Sequence, residues 1–261
     1  MTEEWDAYTR FLGLFVASGY VKNAKPLSLL LVGEPGVGKS QLLERFNRVP
    51  IVVQVMDLTS DGMKHKLFPA MVRDGKRIIL YPDFAKMFQR NLSTAENALG
   101  LITQAMSGEL HEMYVGNTEM IRFKGFCIGL LAAMPTQVYY NWRRTAVSTG
   151  IQDRFAVVPV SFSPEQKASI ERSVAADDPT MTTHVPWTWP TGQLHVDFDK
   201  KLAPKILQLA DEVQPAGERN RLIGRLKVMH LAAAILNGND HVGKWELEQV
   251  RDFLPLLKAM R

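Results

Sequence analysis

The stretch Gly33-Glu34-Pro35-Gly36-Val37-Gly38-Lys39-Ser40 fits the phosphate-binding pattern G-x-x-x-x-G-K-[ST] at every fixed position. The apolar run Leu27 to Val32 precedes it and Gln41-Leu42-Leu43-Glu44-Arg45-Phe46 follows, so the loop is expected to join a buried strand to a helix. Glycines let the backbone curl until successive N–H groups face one anion, and the helix adds its positive N-terminal end. Gly33, Glu34, Pro35, Gly36, Val37, Gly38 and Gln41 are therefore expected around the phosphates of ATP. Lys39 is expected to reach the β- and γ-phosphates, and the Ser40 hydroxyl to ligate Mg²⁺. A chance glycine-rich turn would account for the glycines, but not for the lysine, the serine and both flanking elements together.

Around this loop the composition is ordinary. With 261 residues, 46% hydrophobic and 22% charged, the chain can bury a large core. No apolar run approaches the ~20 residues that cross a bilayer, and Met1-Thr2-Glu3-Glu4 is unlike a secretory signal. A cytoplasmic location without a membrane partner is expected. The single Cys127, inside an apolar run, excludes a disulfide framework and a cysteine metal site within one chain. A formal charge of +4 with a pI near 9.1 permits nucleic-acid contact, although a solvated lysine-rich face gives the same total.

Before the loop, Trp5, Tyr8, Phe11, Leu12 and Phe15 recur at helical spacing and predict an amphipathic helix over 4–20. After it, a helix to about Asn47 is stopped near Pro50, and the β-branched run Ile51 to Met56 reads as a second buried strand. The polar stretch 57–62 leads into a short helix through Leu67 and Met71. Ile78-Ile79-Leu80-Tyr81-Pro82-Asp83 then offers an apolar strand that ends in an acid. A carboxylate at that end can hold the Mg²⁺ water shell beside a nucleotide, so Asp83 is the candidate metal residue. A helix over Leu92 to Met106 closes at Ser107-Gly108, and Leu110 to Val115 and Met120 to Phe123 flank the hairpin signal Gly116-Asn117. Further strands are expected at Phe126 to Ala133 and Ala156 to Phe162. Between them Tyr139-Tyr140-Asn141-Trp142-Arg143-Arg144 mixes groups that can stack on bases and neutralise phosphate, or can end a solvated helix. From Ala175 to Phe198, prolines and tryptophans without helical period read as a long connector. Helices follow at 202–213, 218–236 and 244–260. Strands alternating with helices, then helices alone, predict an α/β fold. Its parallel central sheet, flanked by helices, occupies residues 1–175, the connector 176–198 and an all-helical C-terminal lid 199–261.

In this order the phosphate loop, acidic strand, hairpin, further strand, Asp153-Arg154-Phe155 segment and helical lid resemble an AAA+ P-loop ATPase over nearly the whole chain. Residues 74–135 are most similar to the minichromosome-maintenance helicases and the MoxR and magnesium-chelatase group. Gly75, Ile78 to Met87, the hairpin at Gly116-Asn117 and Ala132-Ala133-Met134-Pro135 carry that resemblance. Departures accompany the matches. If Phe84, Lys86 and Met87 set the register, Pro82 replaces the family's metal-facing Asp and Asp83 its catalytic Glu. If Asp83 is the metal-facing Asp, Phe84 replaces the base. Met134 stands where a sensor Asn would orient water, with Thr136 or Gln137 as substitutes.

The resemblance implies that Arg154 reaches a neighbouring subunit's γ-phosphate, where charge is most needed; local capping, or pairing with Asp153, is the alternative. It implies a lid arginine at the nucleotide, Arg219 or Arg221, and Arg225-Leu226 with His230 matches a lid-helix segment. A hexamer-like homo-oligomer, ring or helical, follows, with Lys39, Asp83 and Arg154 as catalytic residues and slow or partner-stimulated turnover. For its output, a DNA-associated motor, loader or regulator is favoured by Arg122, Lys124, Arg143 and Arg144; Asn117 at the hairpin tip is a further contact candidate, although the tip lacks the lysine that such hairpins often use. A MoxR-like remodeller of a partner protein and a nucleotide-gated scaffold are the alternatives. The bare core-plus-lid economy suggests a phage or mobile-element component.

Overall fold

Several strand-forming segments of this chain are apolar at consecutive positions, so they must be covered on both faces. The computed structural model describes residues 3–115, 119–123, 125–176, 185, 187–214 and 219–259. In it that demand is met by a five-stranded, all-parallel sheet with helices on both sides. The strands are β1 Leu29–Gly33, β2 Val52–Gln54, β3 Ile78–Tyr81, β6 Gly129–Pro135 and β7 Ala156–Pro159, and β4 Glu112–Val115 with β5 Glu119–Arg122 make a separate antiparallel hairpin. Lateral order is β2-β3-β6-β1-β7. Strand β1 is interior: Leu31 lies opposite Ala133 of β6 on one side and Val158 of β7 on the other.

The helices in chain order are α1 Glu3–Ala17, α2 Lys39–Glu44, α3 Ser60–Gly62, α4 Phe68–Arg73, α5 Leu92–Ser107, α6 Thr136–Thr149, α7 Pro164–Ala175, α8 Ala203–Val213, α9 Asn220–Leu236, α10 Lys244–Arg251 and α11 Leu254–Ala259. The two-residue alternation of a strand sorts the side chains. Leu29, Leu31, Leu80, Leu131 and Val158 face α1, α2 and the carboxyl-terminal helices in one core. Leu30, Val32, Ile79, Leu130 and Met134 face α4, α5 and α6 in the other. The carboxyl-terminal helices therefore share their core with α1 and the first face of the sheet.

Differences from the sequence reading have local causes. The helix expected over 244–260 is two, α10 and α11, because Pro255 cannot donate to the carbonyl of Arg251. Helix α7 forms over a segment of weak apolar periodicity. It is started by a capping box: the Ser163 hydroxyl accepts from the Gln166 amide and the Gln166 side chain accepts from the Ser163 amide. Trp142 and Tyr139 are buried against Phe84, Phe88 and each other rather than free to stack on bases, because α6 turns that face inward. The hairpin tip Gly116-Asn117, Lys124, and residues 177–184 and 186 of the connector lie outside the described residues.

What is described of the connector is anchored. Trp187 stacks on Phe46 of the turn after α2, Trp189 stacks on Tyr20, and a Cβ at Gly13 of α1 would collide with the Trp187 ring. At the start of β3, Arg77 donates to the carbonyls of Gly19, Val21 and Ala24, at 3.1, 3.2 and 2.9 Å, and so ties the segment after α1 to the sheet. In the orientation that satisfies both groups, the Gln193 amide oxygen of the connector accepts from the same guanidinium. Replacing Arg77 by Met removes the donor from carbonyls that the fold has already desolvated. Arg77→Met is expected to lower the unfolding free energy by about 2–4 kcal/mol in urea titration; a loss below about 1 kcal/mol would mean that water replaces the guanidinium.

Candidate functional site

The loop Gly33–Ser40 opens from the carboxyl end of the interior strand β1. A Cβ at Gly33 would collide with the Val160 carbonyl oxygen, because the chain beyond β7 passes alongside. Gly36 and Gly38 hold φ of 80° and 79°, a left-handed backbone that side chains rarely adopt. Trp5 of α1 lies beneath Gly38, where a Cβ would sit 2.9 Å from its ring. Among the described residues, no backbone carbonyl accepts from the amides of Gly36, Gly38, Lys39 or Ser40. Those N–H groups are left without a backbone acceptor, which an anion-binding loop requires. Helix α2 spans only six residues, so the loop amides rather than a long helix dipole supply the positive end.

Lys39 is buried and folded back: its Nζ donates to the carbonyls of Gly33 at 2.8 Å and Glu34 at 2.7 Å. Burial holds its ammonium below the ordinary lysine range, and the Glu34 carboxylate opposes that shift. Glu34, Pro35, Gly36 and Ser40 are exposed, Val37 is buried beneath them, and Gln41 is half-buried at the start of α2.

The acidic end of β3 comes to the same place. Ser40 Oγ donates to the Pro82 carbonyl at 3.2 Å, which sets Asp83 beside the loop. The Asp83 carboxylate is half-exposed and pairs with Lys86 at 3.3 Å. Phe84 next to it is fully buried among Tyr81, Phe88, Trp142 and Phe155, so its neighbour Asp83 is held on a rigid turn. Met134 of β6 lies opposite Val32 and is buried, and Thr136 and Gln137 begin α6 directly beyond that strand. Among the described residues, no group of three or more His, Cys, Asp or Glu could hold a metal ion by itself. Mg²⁺ asks for less, since it keeps several waters and takes one or two carboxylates plus substrate phosphates. Ser40 and Asp83 fit that donor set.

Asp57, which the sequence reading had not singled out, is another carboxylate at this edge of the sheet. It accepts from the Tyr81 hydroxyl and pairs with Arg90, and Arg90 also donates to the Leu58 carbonyl. No signal in the sequence marked it, because both partners come from distant segments.

Arg154 is not at this end. It precedes β7, whose Ala156 lies opposite Leu29, so β1 separates it from the loop by about 13 Å at the strand rise. Its Nε donates to Ser107 Oγ and its Nη1 to the Gly150 carbonyl, both at 2.7 Å. Lys25 donates to the Ser107 carbonyl at 2.7 Å, so two cations meet the carboxyl end of α5. Arg221 pairs at 2.6 Å with Asp153, and Arg225 donates to the carbonyls of Asp153 and Phe155. Arg219 pairs within the lid with Asp211. Arg221 thus stands at the edge opposite the loop of its own chain, and Arg219 is engaged by Asp211. Arg154, Arg221 and Arg225 instead line one cleft of about 620 Å³.

Comparison with protein-family models and with curated protein sequences gives no match.

Of the residues expected at DNA, Arg122 is exposed on β5 and faces Glu112 across the hairpin at 3.5 Å, and Arg143 is exposed on α6. Asn117 and Lys124 lie outside the described residues, as does the side chain of Arg144. Among the described residues no helix is long and apolar enough to cross a membrane. The Trp5 ring under Gly38 provides a reporter of the loop. Titration with MgATP is expected to shift tryptophan emission saturably, and Trp5→Phe to remove that change while the other four tryptophans remain. An undiminished signal in Trp5→Phe would show that the loop does not move against α1.

Proposed function

We propose that the chain binds MgATP in the loop Gly33–Ser40 and hydrolyses it slowly between two copies of itself, as an AAA+-like ATPase. The observation that carries this reading is the Ser40-to-Pro82 hydrogen bond, which brings a phosphate loop and a strand-end carboxylate together across the sheet. Lys39 must first release the Gly33 and Glu34 carbonyls, and the β- and γ-phosphates then return a counter-charge to an ammonium that burial disfavours. The loop amides would hold the phosphate oxygens. Ser40 and Asp83 would hold Mg²⁺, which neutralises charge on the β- and γ-oxygens.

Because Pro82 rather than Asp83 meets Ser40, the favoured register sets Asp83 at the water-activating position. One carboxylate then serves both metal and water, and Met134 offers no hydrogen bond to orient that water. Slow turnover follows. Arg154, at the edge remote from its own loop, would serve the nucleotide of a neighbouring copy. Positioning and charge neutralisation then do most of the catalytic work.

Steady-state ATPase assays test this. Lys39→Ala is expected to abolish ATP binding and turnover, and Arg154→Ala to keep binding while lowering kcat by about 10³-fold or more. Wild-type rates in both would sink the proposal. A nucleotide-gated scaffold is the second reading, favoured by buried Met134 and by the Lys86 partner that Asp83 already has. It requires equal assembly with ATP and with a non-hydrolysable analogue, and no measurable phosphate release.

For the output we propose work at DNA, supported by the exposed Arg122 and Arg143. Affinity for duplex DNA should then fall steeply between about 50 and 200 mM salt, and each of Arg122→Ala and Arg143→Ala should reduce the slope of log K against log salt by about 1. Salt-independent or absent binding would turn the reading toward a protein substrate.

A further inference from the structure

Arg225 is a half-buried cation of the cleft between lid and sheet, and the nucleotide chemistry described so far leaves it without a task. One of its terminal nitrogens donates to the Asp153 carbonyl and to the Phe155 carbonyl, each at 2.8 Å. These carbonyls stand on either side of Arg154. Burial works against its charge, and so does neighbouring Arg221, with Asp153 in partial compensation. The next turn of the same helix adds Arg221, whose guanidinium pairs with the Asp153 side chain. Both contacts come from α9, the lid helix that also packs against α1.

From this we infer that Arg225 is a positioning residue: it fixes the Asp153–Phe155 turn so that the lid sets where Arg154 points. The inference rests on the two-chain reading above, in which Arg154 serves a neighbour's nucleotide. Hydrogen bonds to the backbone suit this task, because they hold the chain on both sides of Arg154 and leave its own side chain free to exchange partners. In the present conformation Arg154 is parked on Ser107 and Gly150. A lid displacement that pulled on Arg225 would shift both flanking carbonyls together and alter that parking. The Asp153 to Arg221 pair is solvent-exposed and adds little by itself.

Mixing experiments distinguish this role from contact with the nucleotide of the same chain. Arg225→Ala alone should lose about tenfold or more in kcat, with the KM for ATP within about twofold of wild type. Arg225→Lys, which keeps a donor for the carbonyls, should recover much of that loss. The deciding arms combine inactive chains. In an oligomer assembled at random from equal amounts of Lys39→Ala and Arg154→Ala chains, about a quarter of the interfaces join an intact loop to an intact arginine, and activity should return to that extent. Arg225→Ala should restore activity in the same way when mixed with Lys39→Ala, and should fail to do so with Arg154→Ala.

The reverse pattern, rescue of Arg154→Ala but not of Lys39→Ala, would place Arg225 at its own nucleotide and overturn the inference. A folded Arg225→Ala chain of unchanged Tm that rescues neither, or one of wild-type activity, would overturn it too. If the Lys39→Ala and Arg154→Ala pair itself gives no activity, the two-chain site falls, and this inference with it.

Discussion

The structure depends on the demand that strands apolar on both faces be buried on both faces. A parallel sheet covered on two sides meets that demand, and it leaves only the strand ends for chemistry. Because β1 is interior, the loop after Gly33 emerges between the ends of β6 and β7, with β3 one strand further on. Everything proposed for the nucleotide follows from this placement. The glycines at 33, 36 and 38 are constrained by it in different ways: Gly33 by the passing Val160 carbonyl, Gly36 and Gly38 by left-handed backbone, Gly38 also by Trp5 below.

The sheet has two working edges. The carboxyl edge carries the loop, Ser40 and Asp83. The amino edge carries Arg154, Lys25, Arg221 and Arg225, gathered around the ends of α5 and α6 and roofed by α9. A single chain cannot close these edges on one another, because the length of β1 lies between them. This separation supports a site completed by a second copy. It also accounts for the local hydrogen bonds of Arg154 and Lys25, which satisfy two cations at a helix carboxyl end in the isolated chain.

Much of this was legible from residue order. The loop pattern, the apolar runs at β1, β3 and β6, the hairpin strands, and the helices α1, α5, α8 and α9 follow from periodicity and from glycine and proline punctuation. Helix α7 is only faintly legible: Ser163-Pro164-Glu165-Gln166 carries its capping signal, but few apolar positions mark its face. The aromatic residues of 139–144 looked available for stacking until α6 placed Tyr139 and Trp142 in the core. The connector seemed a spacer, but its tryptophans fill space above Gly13 and against Phe46, contacts between segments far apart in the chain.

By itself the sequence determined the local chemistry: glycines that permit a left-handed loop backbone, a lysine and a hydroxyl at fixed offsets from them, an acid at the end of an apolar strand, and strands that must be buried. Local offsets suffice there because each feature is made by neighbours in the chain. Only the tertiary structure decided which end of the sheet each distant group reaches. It set Pro82 against Ser40, turned Lys39 onto its own loop, and carried Arg221 and Arg225 to the turn around Arg154. Those choices depend on strand order and on how the lid packs against α1. They come from the burial of whole faces, to which no short window of sequence is sensitive. The conformation of Gly33–Ser40 is thus a property of eight residues, and the partnership around it a property of the fold.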